Sequence, residues 1–510
     1  MGASVLKKRY FAKLSANLTG VSVGLISQAA IMRGLGPRTY GDFGFLSNFF
    51  GQITGLFDMG TSTGFYTKLS QRQSEFGLIS FYLGLYAGFA STMLLVFLAA
   101  IHLTGLYQIV LPGQGLFFIY LAAIWAILNF GIEILNKMAD AYGMTVSTEI
   151  ARMVQRALGL AVIVVLFLLS RLSLTTLFLY HYSLFAFIGV AIVYILGRGG
   201  HSLRRSWRLT IPRIKAYSKE FYVYCHPLVI ASAVASIVGI LDRWMLQEFG
   251  GSAQQGYFTF AYKIGAVYFM VSSAMIPLVM REFAIAFSNS DLTKMAALFR
   301  RHVPLFYSIT AYIACFGVVE ADNVALFMGG GQYFRAIVPV VIMSIFPVYQ
   351  VLWQFNASVF YATGRTRLYR NIGIINNIVG LLVSYILMAP SNRLGMGFGA
   401  TGLAIKMVVF TIIAVNVRFY FNARLLNLDF LRYVIHQVLV VVCFLSIAAV
   451  SRLAMDRGLG LSERVVTSFI LAGTFYTGVV MILVFFCPSR FGLNREDLHF
   501  ISSYFTKGQR

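Results

Sequence analysis

Apolar residues run along this chain in long unbroken blocks, separated by short stretches that are basic, polar or rich in glycine. A helix that crosses a bilayer needs about 20 such residues. Fourteen blocks meet that length, at 14–32, 41–66, 78–103, 115–137, 150–170, 174–196, 221–243, 256–280, 303–321, 336–362, 370–390, 397–421, 430–451 and 465–487. The pattern predicts an all-α polytopic membrane protein with about 14 transmembrane helices. Composition agrees, since 58% of the 510 residues are hydrophobic, 12% are charged and the mean hydropathy is +0.76, which excludes an ordinary soluble domain. Lys7, Lys8 and Arg9 before the first block resemble a signal peptide. No small-residue cleavage site follows, so the block reads as the first spanning helix.

The formal net charge of +23 would suggest nucleic acid as the partner of a soluble protein. Here the basic residues sit between spans and report topology instead. With the N-terminus in the cytoplasm and sides alternating at each span, thirty of the forty-one Lys and Arg fall on the cytoplasmic side and nine on the other. Fourteen spans with both termini cytoplasmic are therefore expected, because omitting one span would reverse every later loop.

The sequence also repeats itself. At an offset of 215 residues Gly36 falls on Gly251, Gly41 on Gly256, Phe43 on Phe258 and Phe45 on Phe260. At 221, Ala141-Tyr142-Gly143 falls on Ala362-Thr363-Gly364. Two copies of a six-helix bundle in the same orientation are the expected result, a form used by transporters that rock two lobes about a central site. The domains read as an N-terminal six-helix lobe at 1–197, a basic cytoplasmic linker at 198–220, a C-terminal six-helix lobe at 221–425, and two further helices with a cytoplasmic tail at 426–510. Seven Lys and Arg between Arg198 and Lys219, with Trp207 and Tyr217 among them, suit an interfacial segment on anionic lipid.

Motifs for catalysis are missing. There is no GxxxxGK[ST] phosphate loop and no His/Glu or CxxC metal spacing, so neither a cofactor nor a metal is expected. Gly397-Phe398-Gly399-Ala400-Thr401-Gly402 satisfies GxGxxG but opens a span without a preceding strand, and reads as close helix packing. Cys225, Cys315, Cys443 and Cys487 lie in or at the end of apolar blocks and read as packing residues. No loop between spans is long enough for the catalytic groups of a membrane glycosyltransferase or polymerase, so the chain reads as a non-enzyme.

Ionisable residues inside spans carry the functional argument, because each costs about 2.5–3.5 kcal/mol at mid-membrane unless paired or hydrated. Asp58, among Gly55, Gly60 and Gly64, is the leading ion-coupling candidate, with helix capping as the other reading. Glu133 stands four residues before Lys137, a favourable helical pair that serves structure or function equally well. Asp242 and Arg243 lie near the outer end of their span, at an interface or a site. Lys263 falls on Asn48 at the repeat offset and is placed to line a cavity. Lys406 has no carboxylate within a turn or two, which leaves substrate contact and snorkelling open. Gln28, Asn48 and Gln52 are available for sugar hydroxyls or for bonds across helices.

The segment Arg33-Gly34-Leu35-Gly36-Pro37-Arg38-Thr39-Tyr40-Gly41-Asp42-Phe43 resembles the LGPxxYGxF signature of Wzx-type polysaccharide flippases, within the multidrug/oligosaccharidyl-lipid/polysaccharide exporter superfamily. Leu241-Asp242-Arg243 through Ala261-Tyr262-Lys263, and Gly399-Ala400-Thr401-Gly402-Leu403-Ala404, resemble the family's entry into helices 8 and 12. The resemblance covers essentially the whole chain. It implies a bacterial inner-membrane flippase that moves an undecaprenyl-pyrophosphate-linked oligosaccharide for O-antigen, capsule or exopolysaccharide assembly, beside other polysaccharide assembly proteins. Lys263, Lys406 and Arg33 would meet the phosphates, and H+ or Na+ would be coupled through Asp58, Glu133 or Asp242. A multidrug cation antiporter of the same superfamily, a lipid II flippase and a membrane glycosyl polymerase are the alternatives.

Overall fold

The computed structural model describes residues 3–201, 210–273, 276–458 and 465–493, and all regular structure among them is helical. Much of the expected basic linker, including Arg204, Arg205, Trp207 and Arg208, lies outside the described residues, as does the C-terminal tail from 494. Fifteen helices of nine residues or more carry the fold among the described residues. The first seven are α1 (Ala3–Asp58), α2 (Thr61–Gln71), α3 (Phe76–Leu103), α4 (Leu116–Ala141), α5 (Thr145–Leu168), α6 (Leu174–Arg198) and α7 (Ile211–Ser273). Then come α8 (Ile276–Ser288), α9 (Leu292–Val319), α10 (Ala321–Gly329) and α11 (Ile337–Ala362). The last four are α12 (Thr366–Met388), α13 (Gly399–Leu426), α14 (Phe430–Leu453) and α15 (Val465–Phe486).

Two of these are hairpins rather than rods. Gly36 breaks α1 at φ 70°, ψ 171°, and Gly251 breaks α7 at φ 73°, ψ −177°, nearly the same backbone geometry at the two positions that the repeat superposes. Only glycine enters this left-handed region freely. Tyr40 Oη donates to Gln28 Oε1 at 3.2 Å across twelve residues, a separation of about 18 Å in a straight helix. Arg243 likewise reaches Thr259 Oγ1 at 3.1 Å across sixteen. Both chains therefore double back at the glycine. With each hairpin counted as two arms and the short α2, α8 and α10 set aside, fourteen long helices remain among the described residues, as many as the expected spans.

Among the described residues eleven segments are long and apolar enough to cross a membrane, and one of them, Val229–Met270, holds both arms of α7. The second arm of α1 carries Asp42, Asn48, Gln52 and Asp58 among its apolar residues. Outward faces are greasy: Ile150, Val154, Leu158, Val162 and Val165 form an exposed stripe along α5, as expected where lipid replaces water.

By compactness the chain divides into two units, residues 1–259 with 377–400 and residues 260–376 with 401–510. In the first, buried apolar residues cluster around Phe45, Leu46, Phe50 and Phe178 and around Phe65, Tyr82 and Ile134. In the second, a larger cluster includes Phe283, Phe299, Phe355 and Phe444. Side-chain oxygens cap the starts of α6, α9 and α14. Ser173 and Thr176 form a reciprocal box on α6, while Asp291 and Asp429 accept backbone N–H groups of α9 and α14.

Candidate functional site

In the first unit the two hairpins meet glycine to glycine. A Cβ built on Gly41 would lie 1.8 Å from the Ser252 carbonyl oxygen, and one on Gly256 would lie 1.9 Å from that of Pro37. Around this contact Asp42 accepts from Gln114 Nε2 at 2.7 Å and from the Ser252 hydroxyl. Arg243 is clamped by Gln255 Oε1 at 3.0 Å and Thr259 Oγ1 at 3.1 Å, with its guanidinium 4.3 Å from the Phe258 ring centre. Asp242 and Arg243 are each 8% exposed, and Ser384 Oγ donates to Asp242 Oδ1 at 2.6 Å. Asp242 is thus a buried tie between α7 and α12.

Asp58 ends α1, and Met59 and Gly60 turn the chain at positive φ before α2 restarts. One carboxylate oxygen accepts the Ser62 backbone N–H at 2.9 Å and the Thr61 hydroxyl at 3.2 Å; the other accepts the Ser62 hydroxyl at 2.8 Å. Capping is therefore one role of Asp58. Lys137 does not close an ion pair with Glu133 among the described pairs; its ammonium donates to Ser62 Oγ, which is already tied to Asp58. The Asp58–Ser62 acceptors draw the cation away from its own helix. Glu133 is exposed on the same helix, one turn before Lys137.

The sequence reading missed the tyrosines that complete the cluster. Ser80–Ala87 in α3 is π-helical, a form found at functional sites. Tyr82 Oη lies 3.3 Å from Asp58 Oδ1 and 2.9 Å from Thr61 Oγ1, and Tyr86 donates to the Phe57 carbonyl. Their spacing of four in an apolar block was the available signal.

The remaining first-unit candidates are dispersed. Gln28 is bonded to Tyr40, and Gln52 packs on Gly239, where an added Cβ would meet Nε2 at 3.0 Å. Asn48 Oδ1 is buried with no hydrogen-bond partner. Arg33 is exposed.

In the second unit Lys263 is exposed and Lys406 is 7% exposed. The residue that sequence reasoning passed over is Arg418, 1% exposed on α13. Its guanidinium lies 3.6 Å from the Trp353 ring centre and 4.4 Å from that of Tyr369, with Nε and Nη1 lacking hydrogen-bond partners. Next to it Asn422 Nδ2 donates to Asn356 Oδ1 at 2.9 Å. In the sequence Arg418 is one of the Lys and Arg expected on the cytoplasmic side, and that expectation gives no sign of its burial.

A second charged cluster joins the end of α9 to α14. Arg452 grips Asp322 through two N–H groups, at 2.7 Å to Oδ1 and 2.5 Å to Oδ2. Burial pushes the Asp322 carboxyl up, but the Arg452 bonds outweigh it and hold it below the usual carboxylate range. Glu320, 1% exposed, goes the other way because burial dominates over its bond from Asn323.

Two smaller expectations resolve clearly. Gln254 Oε1 accepts the Ala400 N–H at 2.9 Å and fills the space over Gly399, so the GxGxxG run serves helix packing and capping. All four cysteines are free; Cys225 and Cys315 are buried, whereas Cys487 is exposed.

No protein-family profile matches the sequence, and no curated protein matches it. Solved structures do. An inward-facing multidrug resistance MATE family transporter of the MOP superfamily is similar over 82% of this chain and 98% of its own, at 14% identity and a TM-score of 0.60. A MOP superfamily transporter from Pyrococcus furiosus Vc1 (DSM3638) is similar over 82% and 96%, at 15% identity and a TM-score of 0.54. The lipid II flippase MurJ, in an inward closed conformation, is similar over 92% and 98%, at 13% identity and a TM-score of 0.57. The chain has the helical fold of these membrane transporters, and its structural neighbours are transporters and a flippase rather than enzymes.

Proposed function

We propose that this protein is a flippase for an undecaprenyl-pyrophosphate-linked oligosaccharide, acting by alternating access in the bacterial inner membrane with both termini cytoplasmic. The observation that carries the reading is coverage. The MATE likeness takes in 98% of that transporter but leaves 18% of this chain outside it, whereas the MurJ likeness takes in 92% of this chain. The additional length supports a lipid-linked substrate over a small drug. A pyrophosphate and its sugars cannot cross hydrocarbon unaided, so a path lined by amides and cations has to replace their water.

Lys263, Lys406 and Arg33 are the proposed phosphate contacts, and Gln28, Asn48 and Gln52 the proposed sugar contacts. With no nucleotide loop in the sequence, work would come from an ion gradient, about 2.3 kcal/mol per charge per 100 mV. Asp58 is the proposed coupling carboxylate, since hydroxyls, a tyrosine and a lysine relay all converge on it. Glu133 and Asp242 are secondary candidates. The second reading, a multidrug cation antiporter, is favoured by the TM-score of 0.60 to the MATE transporter.

Reconstitution with a fluorescent polyprenyl-pyrophosphate oligosaccharide tests both. Gradient-dependent leaflet transfer, lost in Lys263→Ala, is the expected result. Absence of transfer together with cation-drug efflux from the same vesicles would replace the first reading with the second.

A further inference from the structure

Within the second unit a groove of about 910 Å³ opens between the start of α9, the turn before α14, the outer face of α14 and the end of α15. Its charged end is built from three separate elements: Arg300 from α9, Arg432 from the first turn of α14 and Arg490 from the turn that follows α15. All three are exposed, and none forms an ion pair among the described residues. Asp429, the one carboxylate of the lining, is occupied by the Arg432 backbone N–H at 3.2 Å.

The arrangement is held in place. His436 Nε2 donates to the Arg490 carbonyl oxygen at 2.7 Å, which fixes the arginine-bearing turn to α14. Gly492, at φ 75°, lets the same turn press on α9, where an added Cβ would lie 2.7 Å from the Leu305 nitrogen. Beyond the arginines the wall becomes apolar: Leu431, Ile435 and Leu439 follow one face of α14 and are 63%, 48% and 52% exposed. The lining continues to Cys443. From Arg432 to Cys443 the helix rises about 16 Å, half of a hydrocarbon core about 30 Å thick.

We propose that this groove binds an anionic diacyl phospholipid, its phosphate among Arg300, Arg432 and Arg490 and its chains along Leu431, Ile435 and Leu439. Three guanidiniums at the end of an apolar wall one leaflet deep match the two halves of such a lipid. A soluble phosphate would leave the wall unused, and a zwitterionic choline headgroup would bring a fourth cation to the arginines. The proposal holds whichever substrate the chain moves.

The test is phosphatidylglycerol binding to the full chain in detergent, read by native mass spectrometry. Phosphatidylcholine, undecaprenyl phosphate and inorganic phosphate are the comparison arms. Retained phosphatidylglycerol adducts, at least tenfold weaker in the Arg432→Gln/Arg490→Gln double variant and unchanged in Arg365→Gln/Arg367→Gln, support it. Leu439→Trp, which fills the groove and keeps every charge, should give the same loss and covers the case in which the arginine variant misfolds. Equal loss in both double variants, equal retention of phosphatidylcholine, competition by inorganic phosphate alone, or tighter binding of undecaprenyl phosphate would each overturn it.

Discussion

Gly41 and Gly256 are backbone-to-backbone neighbours: a Cβ on Gly41 would come within 2.7 Å of the Gly256 nitrogen and 1.8 Å of the Ser252 oxygen. The contact is reciprocal, because Gly256 meets Pro37 as Gly41 meets Ser252, and both pairs are related by the 215-residue offset of the sequence repeat. Two sharply turned hairpins can approach this closely only where neither carries a side chain.

Alanine at either position should therefore be severe. Gly41→Ala and Gly256→Ala each force backbone apart, an overpacking cost of about 3 kcal/mol or more. Gly51→Ala, where nothing lies within 4 Å, is the control and should leave stability unchanged or slightly higher. Thermal unfolding of the three variants in detergent checks this, and equal midpoints would show that the hairpins do not depend on the contact.

The cap that Asp58 forms and the coupling role proposed for it are separable by substitution. Asparagine keeps an oxygen for the Ser62 N–H, so Asp58→Asn should fold with nearly unchanged stability, whereas Asp58→Ala loses the cap and about 1 kcal/mol. If Asp58 also carries the coupling ion, transport by Asp58→Asn becomes independent of the imposed gradient. Full gradient-driven transport in the asparagine variant would leave the cap as its only role.

Part of this was legible in the sequence. The repeat pairs Gly36 with Gly251, which share one backbone geometry, and Asp58 stands out as a carboxylate among glycines in an apolar block. For the tyrosine partner of Asp58 the spacing of four between Tyr82 and Tyr86 is the one signal in the sequence, and the π-helical stretch that carries both is announced by no local pattern. The Glu133–Lys137 spacing suggested a pair that the fold declines in favour of Ser62, a tertiary partner invisible to helical periodicity. Arg418 was hidden by a correct rule: positive charge at the inner end of a span is ordinary, and only packing reveals a guanidinium enclosed by Trp353 and Tyr369.

The Glu320–Asp322 cluster predicts opposite responses to pH. Asp322 is held below its unfolded pKa of about 3.9, so its contribution is present at neutral pH and fades as pH falls through the lower folded value. Asp322→Asn should lower the unfolding midpoint at pH 7, by less than about 1 kcal/mol for so exposed a pair, and the difference should close below about pH 4. Glu320 is raised by burial, so its ionised form costs stability above that raised value, and the cost disappears as pH falls toward the unfolded value of about 4.3. Glu320→Gln should therefore raise the midpoint at pH 7 and lose that advantage near pH 4. Parallel pH profiles for the two variants would contradict the assignment.

Arg418 gives the clearest separation of stability from function. A buried cation without a carboxylate partner and with two unmet N–H groups costs the fold more than an apolar side chain of similar length would. Its stacking on Trp353 and Tyr369 offsets part of that, and lysine cannot reproduce a planar stack between two rings. Arg418→Met should accordingly be at least as stable as the parent chain, while Arg418→Lys should be less stable than either. If Arg418 were retained only for packing, the methionine variant would also transport normally. Loss of at least tenfold in leaflet transfer from a protein of undiminished thermal stability would instead mark the guanidinium as a working part of the transporter.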